Sequence, residues 1–271
     1  MVALPLLLLL GPAAPPVDDA AREEFLRYGE VRQVERLDRG VTASRKAVLH
    51  LHGEIHDAHL QTVDIRRRPL ASLVNLEPGF TDSYKYNIAA YELDRLLGLE
   101  ISPVCVFRKL ERQNASLCWW VDGVQMTEAE RRARRIEPPD TGRHSRQWWR
   151  MRVFDQLIAN TDRNTGNVLY DTGWRLWGID HTRAFRVRTE LLRPDDITHI
   201  DRAFWAHLKA LDRKTVDART AQWLSTEQID GLMARRDRIV AIIEERIRVK
   251  GESAVLFEWP DQAAAQKGSG P

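Results

Sequence analysis

In the run Asn160-Thr161-Asp162-Arg163-Asn164-Thr165-Gly166-Asn167, followed by Gly178-Ile179-Asp180-His181-Thr182-Arg183-Ala184-Phe185, oxygen-bearing side chains recur at spacings that suit one reaction. Moving a phosphoryl group onto a hydroxyl requires a carboxylate that orients the attacking hydroxyl and takes its proton. It also requires oxygen ligands that hold a metal ion against the nucleotide phosphates. Asp162, at the end of an apolar stretch, suits the first role; Asn167, five residues on, and Asp180, past a turn, suit the second. Read alone, Asp162 to Asn167 is equally a good turn sequence. Its setting, between an apolar run and two short strand-like segments, favours the chemistry. His181 lacks a partner at ligand spacing and is expected to pack or cap; Arg163 is expected either to pair with a carboxylate or phosphate beside the reacting groups or to form an ordinary ion pair.

The order Asp, Asn five residues later, hairpin, Asp is that of protein kinases, in different words: Asp162-Arg163 replaces His-Arg-Asp, and Asp180-His181-Thr182 replaces Asp-Phe-Gly. These words resemble the Asp-Arg-x-x-x-Asn and later Asp of phosphatidylinositol 3-/4-kinase-like enzymes, HipA-type kinases and the secretory-pathway kinases related to four-jointed and the Golgi casein kinase. The resemblance extends weakly over about residues 40–185 and is strongest in the last third of that range. The segment Asn87 to Leu99 is also similar to the small-lobe helix of the secretory kinases. This implies an α+β, two-lobed protein-kinase-like fold, with a small β-rich N-lobe carrying one helix and a mostly helical C-lobe. It implies ATP with magnesium or manganese, and transfer to a hydroxyl of a protein, glycan or lipid. A fold of this kind also admits AMP transfer, or a nucleotide-binding pseudokinase that regulates without turnover.

The same resemblance assigns Gly40, Thr42 and Ser44 to a turn that cradles phosphates, although a plain hairpin turn reads equally well there. Trp120 and Val121 would connect the lobes and line the adenine pocket, or Trp119 and Trp120 are simply core tryptophans. Placing a strand at 58–63 puts Gln61 where these kinases carry a phosphate-binding lysine, and placing the helix at 87–91 puts Asn87 where they carry the lysine's glutamate partner. Both charges are absent, so weak ATP affinity is expected. Lys85 or one of Arg66 to Arg68 can substitute, and Glu92 in another helical register.

Positioning Asp162 falls to an apolar helix over 145–160, through Trp148, Trp149, Met151, Val153, Phe154, Leu157 and Ile158. Two strands, 168–170 and 174–179, are joined by the turn Asp171-Thr172-Gly173. Further helices are expected over 201–211 and 226–249. In the first half, 18–36 has a weak helical period, 47–51 and 58–63 read as strands, 77–82 as loop, and 87–97 as an amphipathic helix ended by Gly98. Cys105 and Cys118 lie on two strands of a hairpin, where they can face each other as a disulfide or as two thiols. The stretch 127–143 reads as a polar, proline-broken connection.

The expected boundaries are an apolar leader over 1–17, an N-lobe over 18–122, a C-lobe over 123–250 and a disordered tail over 251–271. The leader, Leu6 to Leu10 followed by Gly11-Pro12-Ala13-Ala14, is too short to span a bilayer and has the form of a signal peptide without its basic start, which predicts export of a mature chain with no transmembrane span. With 41 basic against 39 acidic residues the chain has no field that argues for nucleic acid, and the clusters Arg66 to Arg68 and Arg131 to Arg135 read as solvated faces. The expected partners are a nucleotide and an unidentified hydroxyl-bearing acceptor.

Overall fold

The computed structural model describes residues 18–37, 44–66, 81–110 and 112–259. The expected leader, Gly40 and Thr42, Arg67 and Arg68 with the side chain of Arg66, and the end of the expected tail, 260–271, lie outside them. The chain divides into two compact units.

The first unit holds residues up to Thr62 and Val104–Trp120. Its five antiparallel strands, β1 (Glu30–Arg36), β2 (Arg45–Leu51), β3 (Glu54–Gln61), β6 (Cys105–Leu110) and β7 (Gln113–Trp119), run in the order β1-β2-β3-β7-β6. Side chains alternate across a strand, so Ala47, Leu49, Ala58, Leu60, Leu117 and Trp119 share one face. Helix α1 (Asp19–Tyr28), N-capped by Asp18, packs there: the Phe25 and Trp119 rings lie 5.7 Å apart, and Arg108 Nη1 donates to the carbonyls of Leu26 (3.2 Å) and Gly29 (2.6 Å). The opposite face carries the register row Lys46, His59, Cys118 and Cys105, with Asp57 and Gln61 beside it. The two cysteines on this row form a disulfide. The weak helical period expected over 18–36 corrects to a helix followed by a strand. β1 is an exposed, charged edge without apolar alternation, the pattern by which edges avoid pairing with other chains. β3 begins at Glu54 because the left-handed pair His52-Gly53 makes a two-residue hairpin turn.

The second unit holds Val63–Pro103 and everything from Val121. The short strands β4 (Asp64–Arg66) and β5 (Thr81–Ser83) pair with each other and precede helix α2 (Lys85–Leu96), which stops at Gly98 with φ +64°. A three-stranded sheet, β10-β9-β8, is built from β8 (Val124–Thr127), β9 (Val168–Asp171) and β10 (Leu176–Gly178). Helix α3 (Glu128–Ala133) and the start of helix α4 (Thr141–Leu157) occupy the stretch expected to be a connection. The correction was foreshadowed by Thr127-Glu128-Ala129-Glu130, a capping box that the structure forms, with a helix too short and too charged to show an apolar period. Met151, Val153, Phe154 and Leu157 of α4 are completely buried in a core shared with α2, α5 (Arg202–Ala210), α6 (Arg213–Thr220) and the long α7 (Thr226–Lys250), and α4 itself packs against α7 and β10. Residues 256–257, expected to lie in a disordered tail, form a strand instead: β12 (Leu256–Phe257) pairs in parallel with β11 (Ile200–Asp201), and Leu256 is buried. The chain is therefore α+β, β-rich first and helical afterwards, as expected. Among the described residues no helix is long and apolar enough to cross a membrane.

Candidate active site

The loop that follows α4 is fixed almost entirely by its own polar groups. Ala159 turns the chain out of the helix at φ +46°, and Asn160, buried, donates from its amide to Asp155 Oδ1 (3.0 Å) and accepts the Asp162 N–H on Oδ1 (3.0 Å). Asn164 Oδ1 takes the Gly166 N–H (2.9 Å) and opens a single 3-10 turn, Thr165–Asn167. Asn167 Nδ2 donates to the Asp162 carbonyl (3.1 Å), which fixes the carboxamide through its nitrogen.

Arg163 joins this loop to the segment that follows β10 and carries Asp180. Its guanidinium makes a two-pronged contact with buried Asp155 (Nε to Oδ2 3.0 Å, Nη2 to Oδ1 3.1 Å), and Nη1 donates to the carbonyls of Asn167 and Ile179, both at 2.8 Å. The Ile179 N–H bonds the Asn167 carbonyl (3.0 Å), so Asn167 and Asp180 lie on adjoining strand ends. Gly178 makes room for the clamp: a Cβ there would meet Met151 Cε at 2.7 Å and Arg163 Nη2 at 3.3 Å. Both readings open for Arg163 find a partner here: it forms an ion pair, with Asp155, and it also bonds the carbonyls of Asn167 and Ile179 beside the candidate residues.

Asp180 itself sits at φ +55° and accepts from Thr182 Oγ1 (2.9 Å). Strained backbone of this kind persists where the surroundings over-determine it, and it concentrates at functional positions. Asn87, on α2, accepts the His181 N–H on Oδ1 (2.8 Å) and so ties the helix to the residue after Asp180. The His181 ring packs edge-on against Phe154, its Nε2 buried without a hydrogen bond among the described residues. Burial, with Arg163 nearby, pushes its pKa well down, so the ring is neutral and packs as expected. Past Phe185 (φ +55°), α7 holds the chain: Gln228 Nε2 donates to the Phe185 carbonyl (2.8 Å), and Gly231 lets the Val187 carbonyl approach. The wholly buried Arg235 donates to the carbonyls of Leu157 (2.8 Å), Arg186 (2.9 Å) and Arg188. Burial lowers the Arg235 pKa to about 9.

Asp162, Asn167, Asp180 and Asn87 thus meet in the second unit, and Val121 is a buried residue of that unit. In the first unit, Gln61 is buried, its Nε2 donating to Ser44 Oγ (3.4 Å) and its Oε1 accepting the Thr62 N–H (2.9 Å). Trp120 donates its N–H to the Asp57 carbonyl, and Lys46 Nζ lies 5.8 Å from its ring centre. The alternatives for the missing charges are committed elsewhere: Lys85 pairs with Asp64 (2.9 Å) and Glu92 with Arg219 (2.9 Å). Sequence reasoning passed over Asp155, Asn160, Asp82 and Arg183. A lone acid inside the apolar run of α4 was the available signal for Asp155.

No protein-family model and no curated protein matches the sequence. Solved structures match over most of the chain. The hydra Fam20 structure with sugar has a TM-score of 0.65 at 14% identity, covering 87% of this chain and 90% of that one. The Golgi casein kinase with Mn/ADP bound has 0.60 at 14%, covering 90% and 81%. The Helicobacter pylori proinflammatory kinase CtkA has 0.51 at 12%, covering 83% and 98%. The fold is that of these atypical kinases, as the motif words implied.

Proposed function

We propose that the chain is an ATP-dependent, metal-assisted phosphotransferase acting on a hydroxyl of a protein, glycan or lipid. The observation that carries this is a chain of bonds around one largely buried guanidinium: Arg163 bonds the carbonyls of Asn167 and of Ile179, the residue before Asp180, and Asn167 in turn bonds the Asp162 carbonyl. Asn167 through Oδ1 and Asp180 through its carboxylate would hold magnesium or manganese; both are hard oxygen donors, and the Asn167 amide nitrogen is already engaged. When bound, the metal offsets charge on the transferring phosphates. The acceptor oxygen bonds to the γ-phosphorus as the bond from that phosphorus to the ADP oxygen breaks, ADP leaves with the electron pair, and Asp162 orients the hydroxyl and takes its proton. The Golgi casein kinase solved with Mn/ADP supports this nucleotide and metal choice by likeness of fold.

A second reading, a nucleotide-binding pseudokinase, is favoured by Gln61, a neutral amide at the position expected for the phosphate-binding lysine. Titration with manganese–ATP, followed by detection of ADP or pyrophosphate, separates the two and distinguishes phosphate from AMP transfer. Asp162→Asn is expected to keep nucleotide affinity and to lower transfer by about 10²- to 10⁴-fold. Asp180→Asn, a side chain that tolerates the left-handed backbone, is expected to weaken metal-dependent binding. Full transfer by Asp162→Asn would remove the assigned role. Export is part of the same proposal, supported by the disulfide, which persists in oxidising compartments.

A further inference from the structure

We infer that Arg183 is a positioning residue for Asp162, anchored by Asp82; the inference deepens the phosphotransferase reading and rests on it. The backbone of Asp162 is held on both sides, by Asn160 at its N–H and by Asn167 at its carbonyl. Its side chain is 34% exposed and, Arg183 apart, accepts among the described residues one long, exposed bond, from Asn164 Nδ2 to Oδ1 at 3.4 Å, which leaves it freedom to turn. Arg183, three residues beyond Asp180, removes that freedom: Nη1 donates to Asp162 Oδ2 at 3.1 Å. The other edge of the guanidinium is gripped from behind, Nε donating to Asp82 Oδ2 at 3.2 Å.

Asp82 is itself immobile. It lies in β5, opposite Ile65 of β4, its side chain is 2% exposed, and the next residue, Ser83, donates its N–H to the Thr182 carbonyl at 2.8 Å. The strand is thereby lashed to the residue preceding Arg183. Asp82 Oδ1 is buried without a hydrogen bond among the described residues. A half-satisfied buried carboxylate is costly, so stability alone is a poor reason for this arrangement. Delivering a rigid guanidinium to the Asp162 carboxylate is a sufficient one. Lysine, with one point charge, cannot span two carboxylates as the planar fork does.

The test compares the full chain with Arg183→Gln, Arg183→Lys, Asp82→Asn and the Arg183→Gln/Asp82→Asn double variant. The probe is manganese–ATP, with water and the protein's own hydroxyls as acceptors; Kd comes from calorimetric titration, kcat from ADP release, and melting temperature checks folding. Displacing a reacting group by about 1 Å costs about 10²-fold. Arg183→Gln is therefore expected to slow ADP release about 10²-fold with Kd changed by less than about threefold. Arg183→Lys should recover part of the loss. Asp82→Asn should act in the same direction, and the double variant should be no slower than Arg183→Gln, since Asp82 works through Arg183. Unchanged release by Arg183→Gln, a Kd loss as large as the rate loss, or a double variant showing the product of the single losses would each overturn the assignment. An active parent with an indifferent Arg183→Gln overturns this inference alone, whereas a parent that releases no ADP overturns the phosphotransferase reading and this inference together.

Discussion

Arg163→Met tests whether one guanidinium assembles the site. The Arg163 and Asp155 side chains are 10% and 9% exposed, so the pair is largely out of water. Removing the cation leaves the Asp155 carboxylate with the single bond from Asn160 and strips the Asn167 and Ile179 carbonyls of their shared donor. Stranding one member of a buried pair costs about 3–5 kcal/mol. The Asn167 carbonyl keeps the Ile179 N–H and the Ile179 carbonyl can take water, so little is added for them, and about 4 kcal/mol is expected in total. The assay is urea unfolding followed by tryptophan fluorescence, with the loss read as a lower midpoint at unchanged slope. The companion variants are Asp155→Leu and the double change. In the double variant no charge is stranded, so the cycle should show a coupling of about 2–3 kcal/mol. A single-variant cost under about 1 kcal/mol, or strictly additive costs, would refute the clamp.

Two other outcomes follow from the fold. In buried Glu128, burial pushes the carboxyl pKa up, but hydrogen bonds from Arg131, Arg132 and Tyr170 more than reverse it, and the folded-state value lies below the ordinary one. Stability from this group is therefore present above about pH 4.5 and lost as pH falls through the lower folded value; Glu128→Gln should lower stability at pH 7 and flatten the acid limb of a melting-temperature series, and an unchanged limb would contradict this. Gln61→Lys is expected to tighten manganese–ATP binding by calorimetric titration, because an ammonium attracts phosphate more strongly than an amide; weaker or equal affinity would show that position 61 does not face phosphate.

What the sequence made legible was the part of the molecule written in one continuous stretch. The apolar period of α4 and the turn Asp171-Thr172-Gly173 placed the elements around Asp162, Asn167 and Asp180, and the resemblance carried by those residues implied the fold class. α3 was hidden because six charged and small residues carry no period, and β1 because an edge strand exposed along its length has no apolar face to alternate. Asp82 escaped notice for another reason. Its contact with Arg183 joins residues 101 apart in sequence, through a strand of three residues with no signal of its own.

The hold of α7 on the chain beyond Asp180 bears on how such a molecule is switched. In many phosphotransferases this segment alternates between ordered and disordered forms, and a covalent mark selects one. Here Arg235, wholly buried with only carbonyl oxygens for acceptors, would be stranded in the interior if residues 185–188 peeled away. Melting the segment thus carries the penalty of an uncompensated cation, and the ordered form is the resting one. On the phosphotransferase reading proposed above, a chain built in this way is permanently cocked, and its output is governed by when and where it meets nucleotide and acceptor.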